Sequence, residues 1–433
     1  MNNFAQPIAT TVQLPTFGVS FDADGVLELK TFTDPTGQLR ADQRAALAAR
    51  IQEQLGARAR HRKVSLIRLE AALNQRIREG KAPDESMLVL AGLTRIESAF
   101  CFPDENDIVV SGPAEPWVND FGGVPRGIHS GRPVLRLEDL VVALRAYRHN
   151  DDRAFVGCTI SPRAEGLACF RQFQRRIPKA VSMNQREQLR RAVASGSIEA
   201  LGPADVAVLG ISPQTHFARV MIEADYRMKR MAIGTEKPPV EITSYAEALR
   251  TVSQGTLERW WLTPAYDGVL RTPDAMAMRL SGQGVGLRTE MKQVSERGEL
   301  IDGGKPNRAA TTFANSFTKQ YEALSKHATI YAQLRQLCDL LIIAAFMKRH
   351  GWFEETGWQA DLFGDESTYS IESYSMPKQA SPAVHSFWKQ NRMFVPVGGG
   401  VSIEAGKAID QATLDSKIER PNLPLNAKHW WWD

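Results

Sequence analysis

The chain has 433 residues, of which 43% are hydrophobic, 24% charged and 8% aromatic. This length predicts two or three domains with a sizeable core, and the composition excludes a disordered protein. The formal net charge of +4 comes from 53 basic and 49 acidic residues; it is too small and too evenly spread for nucleic-acid binding, which needs basic residues clustered on one face.

The N-terminus has neither the basic segment nor the apolar stretch of a signal peptide. We expect residues 1–11 to be flexible and, if Met1 is the native start, the protein to be cytoplasmic. A second interpretation stays open, in which residues 4–7 remain beside a cleaved signal. Residues 12–20 and 26–32 then predict a hairpin, because the Asp-Gly between them favours a tight turn.

The next elements are a helix, a hairpin and a long loop. Residues 65–78 predict a helix that Ser65 can cap. Residues 95–102 and 107–111 predict a second hairpin. The stretch 112–133 is rich in Gly and Pro and predicts an irregular loop, a kind of segment that is often functional.

Two similar β–α units follow. Residues 156–161 and 208–212 predict strands that end in Ile-Ser-Pro, and each leads into a helix, at 164–177 and 215–233. We expect the serines to cap these helices and the prolines to occupy the first helical position. The repetition predicts a duplicated α/β element with neighbouring strands in one sheet. The predicted fold class is therefore mixed α/β, with an N-terminal α/β lobe at residues 12–237.

The helix at residues 215–233 has an apolar face and a charged face. The charged residues recur every three or four positions and are His216, Arg219, Glu223, Arg227 and Arg230. One interpretation is a solvated face held by ion pairs between successive turns. The other is a binding surface for a partner or an anion, favoured by the basic excess and the nearby helix N-terminus.

Residues 238–425 predict a C-terminal lobe with β-hairpins and a helical hairpin. Residues 275–281 and 284–292 are predicted to pair as strands. Two long helices, at 309–325 and 329–350, are expected to form the helical hairpin. A further hairpin is predicted around Gly398-Gly399-Gly400, between strands at 393–397 and 401–404. No run reaches the 18 apolar residues of a membrane span, so no transmembrane segment is predicted.

Sequence patterns for the common active sites are missing. The eight histidines occur singly, without the spacing of a zinc site. No Gly-x-Ser-x-Gly elbow presents a serine, and the glycine-rich stretches lack the lysine or the strand–helix context of nucleotide-binding loops. We therefore predict no metal, no cofactor and no catalytic residues.

The four cysteines, Cys101, Cys158, Cys169 and Cys338, are widely spaced. We expect buried free thiols. A disulfide is possible only if the chain is exported, and the sequence does not choose a pairing.

Tryptophans are the other candidate binding residues. The neighbours Trp260 and Trp261 must point to opposite faces of a strand, so one of them is expected to be exposed or at an interface. The tail, residues 426–433, ends in Trp430, Trp431, Trp432 and Asp433. This apolar surface is expected to dock onto the protein's own body, or alternatively onto another subunit or a sugar.

Several blocks resemble a known family. Stretches such as LAGLTRIESAFCFP, EADYRMKRMAIG and RWWLTPAYDGVLRTPDAMAMRLSGQGV are similar to the DUF1598 domain family of planctomycete bacteria, whose function is unknown. The resemblance runs from about residue 12 to 350 and carries no catalytic residues with it. Because members of that family often carry export signals, it implies an extracytoplasmic setting, in the periplasm or at the cell surface.

Two functions follow as hypotheses. The first is a non-enzymatic structural or assembly protein of the cell envelope, acting through a protein partner or as a homo-oligomer by way of the 215–233 helix and the tryptophan tail. The alternative is a hydrolase or ligand-binding protein whose site is built from dispersed loop residues, for example His129 in the loop 112–133. A deep pocket lined by His129, Asp225 or another carboxylate would favour the alternative.

Overall fold

The computed structural model describes most of the chain as a mixed α/β fold. The described residues are 19–21, 26–29, 58–120, 122–148, 154–177, 183–250, 256–383, 397–423 and 430–433. The predictions for residues 1–11 and for the turn at 22–25 lie outside them, as does most of the strand predicted at 393–397.

Described strands form a nine-stranded, a six-stranded and a two-stranded sheet. In chain order they are β1 (Val19–Phe21), β2 (Val26–Leu29), β3 (Ala59–Ser65), β4 (Ser98–Phe102), β5 (Asp107–Ala114), β6 (Trp117–Asn119), β7 (Pro125–Gly127), β8 (Val156–Ser161), β9 (Ala204–Leu209), β10 (Thr256–Ala265), β11 (Gly268–Arg271), β12 (Ala277–Ser281), β13 (Gly284–Val294), β14 (Leu300–Asp302), β15 (Gln379–Ala380), β16 (Val397–Ile403) and β17 (Thr413–Leu414).

The described helices cover these sheets. They are α1 (Leu66–Arg78), α2 (Glu85–Leu88), α3 (Leu137–Arg148), α4 (Ala164–Arg176), α5 (Arg186–Leu201), α6 (His216–Ala232), α7 (Tyr245–Ala248), α8 (Arg308–Lys319), α9 (Tyr321–His327), α10 (Thr329–Arg349), α11 (Trp352–Glu355) and α12 (Ala405–Asp410).

Strand order brings distant parts of the chain together. The nine-stranded sheet runs β1-β2-β15-β9-β8-β16-β10-β13-β14, and the six-stranded sheet runs β17-β11-β12-β4-β5-β3. Both of these larger sheets contain strands from both sides of residue 237. The hairpin predicted in residues 95–111 is confirmed as the antiparallel pair β4 and β5.

Both β–α units are present and their strands are neighbours in the nine-stranded sheet, but the second strand runs over Ala204–Leu209 and not over the predicted residues 208–212. β8 and β9 pair antiparallel, with Cys158 opposite Val208. The predicted serine caps are wrong, because each helix begins after the Ser-Pro. Arg163 precedes α4 and gives no side-chain cap, whereas Thr215 caps α6 by accepting a hydrogen bond from the amide of Ala218.

The predicted pairing of residues 275–281 with 284–292 is wrong, because the two strands belong to different sheets. β12 pairs with β11 and β4, whereas β13 pairs with β10 and β14. Between them Gly282 and Gly284 have φ angles of +94° and +86°, which residues other than glycine rarely adopt. A Cβ at Gly282 would also lie 2.6 Å from Cγ of Asp267. The connection therefore redirects the chain from one sheet to the other.

The glycine triplet is not a turn, so the hairpin predicted across it is also wrong. Gly398, Gly399 and Gly400 lie inside β16, which pairs antiparallel with β8 and parallel with β10. Gly399 has φ +121°, and a Cβ there would overlap the carbonyl oxygen of Trp260. Glycine is needed here because the neighbouring backbones approach too closely for a side chain.

Helix α10 forms the centre of the core. It packs against α3, α6, α9, α12 and β13. By length and composition it could cross a membrane, but 94% of its apolar window is buried inside the fold. The first arm of the predicted helical hairpin is broken at Gln320, where α8 ends and α9 begins, and α9 is the part that packs on α10.

Candidate ligand-binding cleft

A polar cleft of about 460 Å³ opens where the chain passes from one sheet to the other. Its floor and walls come from the β12–β13 connection, the segment before β4, the loop after β7, the β10–β11 turn, α9 and α10. The residues that line it are Arg95, Glu97, Pro113, Arg132, Asp267, Gly282, Gln283, Glu322 and Arg335. We call it the arginine cleft.

Arg95 is fixed by a buried acid. Its Nε lies 3.1 Å from Oδ2 of Asp339, and the hydroxyl of Tyr266 donates to the other carboxylate oxygen at 2.6 Å. Asp339 is fully buried on α10. Burial lowers the pKa of Arg95, but its interactions with Asp339, Tyr266 and Glu97 together outweigh this effect and the net shift is upward. Arg95 therefore stays charged although it is only 9% exposed.

Arg335 lies one helical turn before Asp339 and is only 8% exposed. Its Nη2 donates to the carbonyl oxygen of Gly282 at 2.9 Å, and Nη1 of Arg95 donates to the same oxygen at 3.2 Å. No described carboxylate lies within 4.0 Å of Arg335. Two guanidinium groups thus converge on one carbonyl, with one buried carboxylate to balance them.

Both arginines keep unmet hydrogen-bonding capacity. Nη2 of Arg95 and Nε of Arg335 are buried and have no partner among the described residues. A buried donor without an acceptor costs about 1–3 kcal/mol. These two N–H groups are closed off from solvent, so an anion in the cleft would contact the accessible parts of the two guanidinium groups, which suit carboxylate and phosphate oxygens.

The neighbouring segments are held to α10 by one glutamine. The amide of Gln336 donates to the carbonyl oxygens of Thr94 and Pro133, both at 2.8 Å. Thr94 adjoins Arg95, and Pro133 adjoins Arg132. The same helix that carries Arg335 therefore positions the other two arginines of the cleft.

The predicted charged residues of α6 are not at this cleft. His216 is buried, and its Nδ1 contacts the carboxylate of Asp139 at 2.9 Å. Arg227 lies 3.6 Å from Glu223 and 2.8 Å from Glu236, and Nε of Arg230 lies 3.7 Å from Glu236. Burial raises the pKa of Glu223. Arg219 is half-buried.

Helix α6 also holds a buried ion pair that the sequence patterns did not single out. Nζ of Lys229 lies 2.6 Å from Oδ2 of Asp225, and it donates to the carbonyl oxygens of Ile160 and Gly399. Burial lowers the pKa of Lys229 and raises that of Asp225. The pair ties α6 to β8 and β16 and does not line the cleft.

The tryptophans lie elsewhere. Trp260 is fully buried, whereas Trp261 is half-buried, with its Nε1 bonded to Glu290 at 3.0 Å and Arg259 stacked on its ring. The described end of the tail, residues 430–433, docks on the protein itself. Trp430 and Trp431 are buried, and Trp432 pairs with Val64 of β3.

The prediction of an irregular loop at residues 112–133 is wrong, because this stretch contains the end of β5 and the paired strands β6 and β7. It contributes Pro113 and Arg132 to the cleft, but His129 is exposed and outside the cleft. Backbone amides of His129 and Ser130 donate to Glu115. The described residues include no group of three His, Cys, Asp or Glu side chains suited to a metal. Three cysteines are buried free thiols as predicted, but Cys169 is exposed, which corrects that prediction.

One sequence signal could have found the cleft. The helix QLRQLCDLLIIAAF is apolar apart from Gln333, Arg335, Gln336 and Asp339, and charged groups in a buried helix need partners elsewhere. Nothing in the sequence names those partners, because Arg95 and Gly282 are distant in the chain.

Comparison with known proteins adds one relation. No curated protein and no solved structure matches the chain. The resemblance expected over residues 12–350 is matched over a shorter part, which covers most of β8, α4, α5, β9, α6 and the start of α7 and excludes the arginine cleft. Residues 158–245 match the model of the domain family described as "Protein of unknown function (DUF1598)".

Proposed function

We propose that the protein binds a small molecule with a carboxylate or phosphate group in the arginine cleft. One observation carries this proposal: two buried arginines meet at the same carbonyl, and each keeps a buried N–H without an acceptor. An anionic group in the cleft would lie beside both guanidinium groups and balance the charge of Arg335. A cleft of this volume is within the range of small-molecule sites.

Binding is favoured over hydrolysis by the side chains that line the cleft. The described lining residues offer guanidinium, carboxylate and amide groups, and no serine, cysteine, histidine or lysine side chain. The resemblance to the planctomycete family supports a bacterial protein outside the cytoplasm, where a binding protein would meet a free ligand.

The test is isothermal titration of the protein with inorganic phosphate and with glutarate. We expect Arg335→Met to lower the affinity for the anion at least tenfold, because a charged hydrogen bond contributes about 1.5–3 kcal/mol. The matched control is Arg297→Met, which removes an exposed arginine. Equal affinity of all three proteins, with unchanged melting temperatures, would contradict the proposal.

A second candidate function is self-assembly through protein contacts. β14 is a terminal strand of the nine-stranded sheet, and its Leu300 and Ile301 are 37% and 53% exposed. An edge strand with exposed apolar side chains supports pairing with β14 of a second copy. By contrast, the docked tail and the covered helix α6 leave little surface for the contacts predicted from the sequence.

Sedimentation velocity separates the two candidates. Assembly through β14 predicts dimers at micromolar concentration that Ile301→Lys abolishes. Ile198→Lys is the matched control, since Ile198 is 46% exposed on α5. Deleting residues 426–433 tests the tail in the same assay. A wild-type protein that stays monomeric would exclude assembly and leave ligand binding as the function.

A further inference from the structure

The arginine cleft is lined by as many carboxylates as guanidinium groups. Arg95, Arg132 and Arg335 are matched by Glu97, Asp267 and Glu322. These carboxylates differ in what balances them. Glu322 lies 3.5 Å from Lys326 and 3.9 Å from Arg132. In the described part of the chain no cationic group lies within 4.0 Å of the carboxylates of Glu97 or Asp267.

This charge pattern constrains the ligand. A purely anionic ligand would lie beside the guanidinium groups of Arg95 and Arg335, but it would share the cleft with Glu97 and Asp267, which form no ion pair within 4.0 Å with any described residue. Like charges that line the same cleft reduce the affinity for such a ligand. A purely cationic ligand would be repelled by the two arginines. A ligand that carries both signs satisfies the two sets of groups together.

We propose that the ligand is a zwitterion of the α-amino acid class. Its acidic group binds the guanidinium groups of Arg95 and Arg335, and its ammonium group binds Glu97 and Asp267. This inference rests on the proposed function, because it names the ligand class of the same cleft. Asp267 is well placed for the role: it is exposed in the β10–β11 turn and adjoins Gly282, where the absence of a Cβ lets its carboxylate approach the backbone.

The experiment compares amino acids with the same molecules lacking the amino group. Titration calorimetry uses three pairs: L-alanine with propionate, L-glutamate with glutarate, and L-leucine with 4-methylpentanoate. We expect at least one amino acid to bind ten times more tightly than its partner, the factor that a charged hydrogen bond provides. Glu97→Gln with Asp267→Asn should remove this difference and raise the affinity for the acid, because two like charges leave the cleft; an unchanged circular dichroism spectrum shows that the double variant is folded.

The possible outcomes distinguish binding of a zwitterion from the proposed binding of an anion. If each acid binds as tightly as its amino acid, the zwitterion is excluded and anion binding stands. If the double variant keeps the preference for the amino acid, the assignment of Glu97 and Asp267 is overturned. If none of the six molecules, nor inorganic phosphate, binds the wild type more tightly than Arg335→Met, both the inference and the proposed function fail.

Discussion

Glu258 gives the sharpest prediction about stability. It lies on β10 and is 2% exposed, and its Oε2 has no hydrogen-bond partner among the described residues. Burial raises its pKa from the ordinary 4.5 to about 7, although a hydrogen bond from the backbone of Asn307 opposes the shift. The native state therefore favours the neutral acid, and ionisation at higher pH destabilises it.

The sign and size of the effect follow from proton linkage. Between pH 4.5 and 7 the folded protein binds more protons at Glu258 than the unfolded chain, so the free energy of unfolding falls as pH rises. A change in the pKa of Glu258 from 4.5 to about 7 corresponds to a loss of about 3 kcal/mol at most in the free energy of unfolding. Above pH 7 this contribution is constant.

The substitution Glu258→Gln tests this prediction, because it keeps the shape of the side chain and removes its ionisable group. We expect the variant to resemble the wild type near pH 4.5 and to be more stable at pH 8, by up to about 3 kcal/mol. Urea unfolding at pH 5, 6, 7 and 8, followed by tryptophan fluorescence and circular dichroism, measures the difference. Glu419→Gln, at an exposed loop position, is the control. A difference between variant and wild type that does not change with pH would refute the reasoning.

Three further predictions concern thermal and urea unfolding of single variants. Asp225→Asn should lower the free energy of unfolding by about 3–5 kcal/mol because it leaves the buried ammonium of Lys229 uncompensated. The double variant with Lys229→Met should lose less stability, and a larger loss in the double variant would contradict this prediction. Gly399→Ala should cost about 3 kcal/mol or more, because its Cβ would overlap a backbone oxygen. Gly80→Ala, at a φ of +67° and in open space, should cost about 1 kcal/mol, and equal costs would show that the close approach is unimportant. Thr215→Ala should cost about 1 kcal/mol by removing the cap of α6, and a neutral effect would contradict the capping role.

Local patterns predicted the elements better than their partners. The strand at residues 156–161 and the Ser65 cap of α1 follow from short-range chemistry, and the structure confirms both. The pairing of β12 with β13 failed because two glycines between two strands are typical of a hairpin, while the actual partners of these strands are distant in the chain. The glycines of β16 led to a wrong hairpin prediction for the same reason. They are needed because β8 and β10 approach them closely, and these strands are distant in the chain.

The candidate site was largely beyond prediction. The charged side chains within the buried helix α10 require partners of opposite charge. Arg95, which pairs with Asp339, lies 244 residues earlier in the chain, and the sequence predicts only a strand there. The charged residues of α6 were noticed because they form a regular stripe, yet the fold covers part of that stripe. Periodicity reports which residues share a helix face; it does not report what packs against that face.

The position of β16 has a consequence for synthesis of the protein. This strand, at residues 397–403, lies between β8 and β10 and supplies the hydrogen bonds of both. During translation the facing edges of β8 and β10 remain without a partner until residues 397–403 have emerged. Exposed strand edges of this kind favour aggregation, and contacts so distant in sequence slow folding. Chains released before residue 397 should therefore accumulate as aggregates and not as folded fragments.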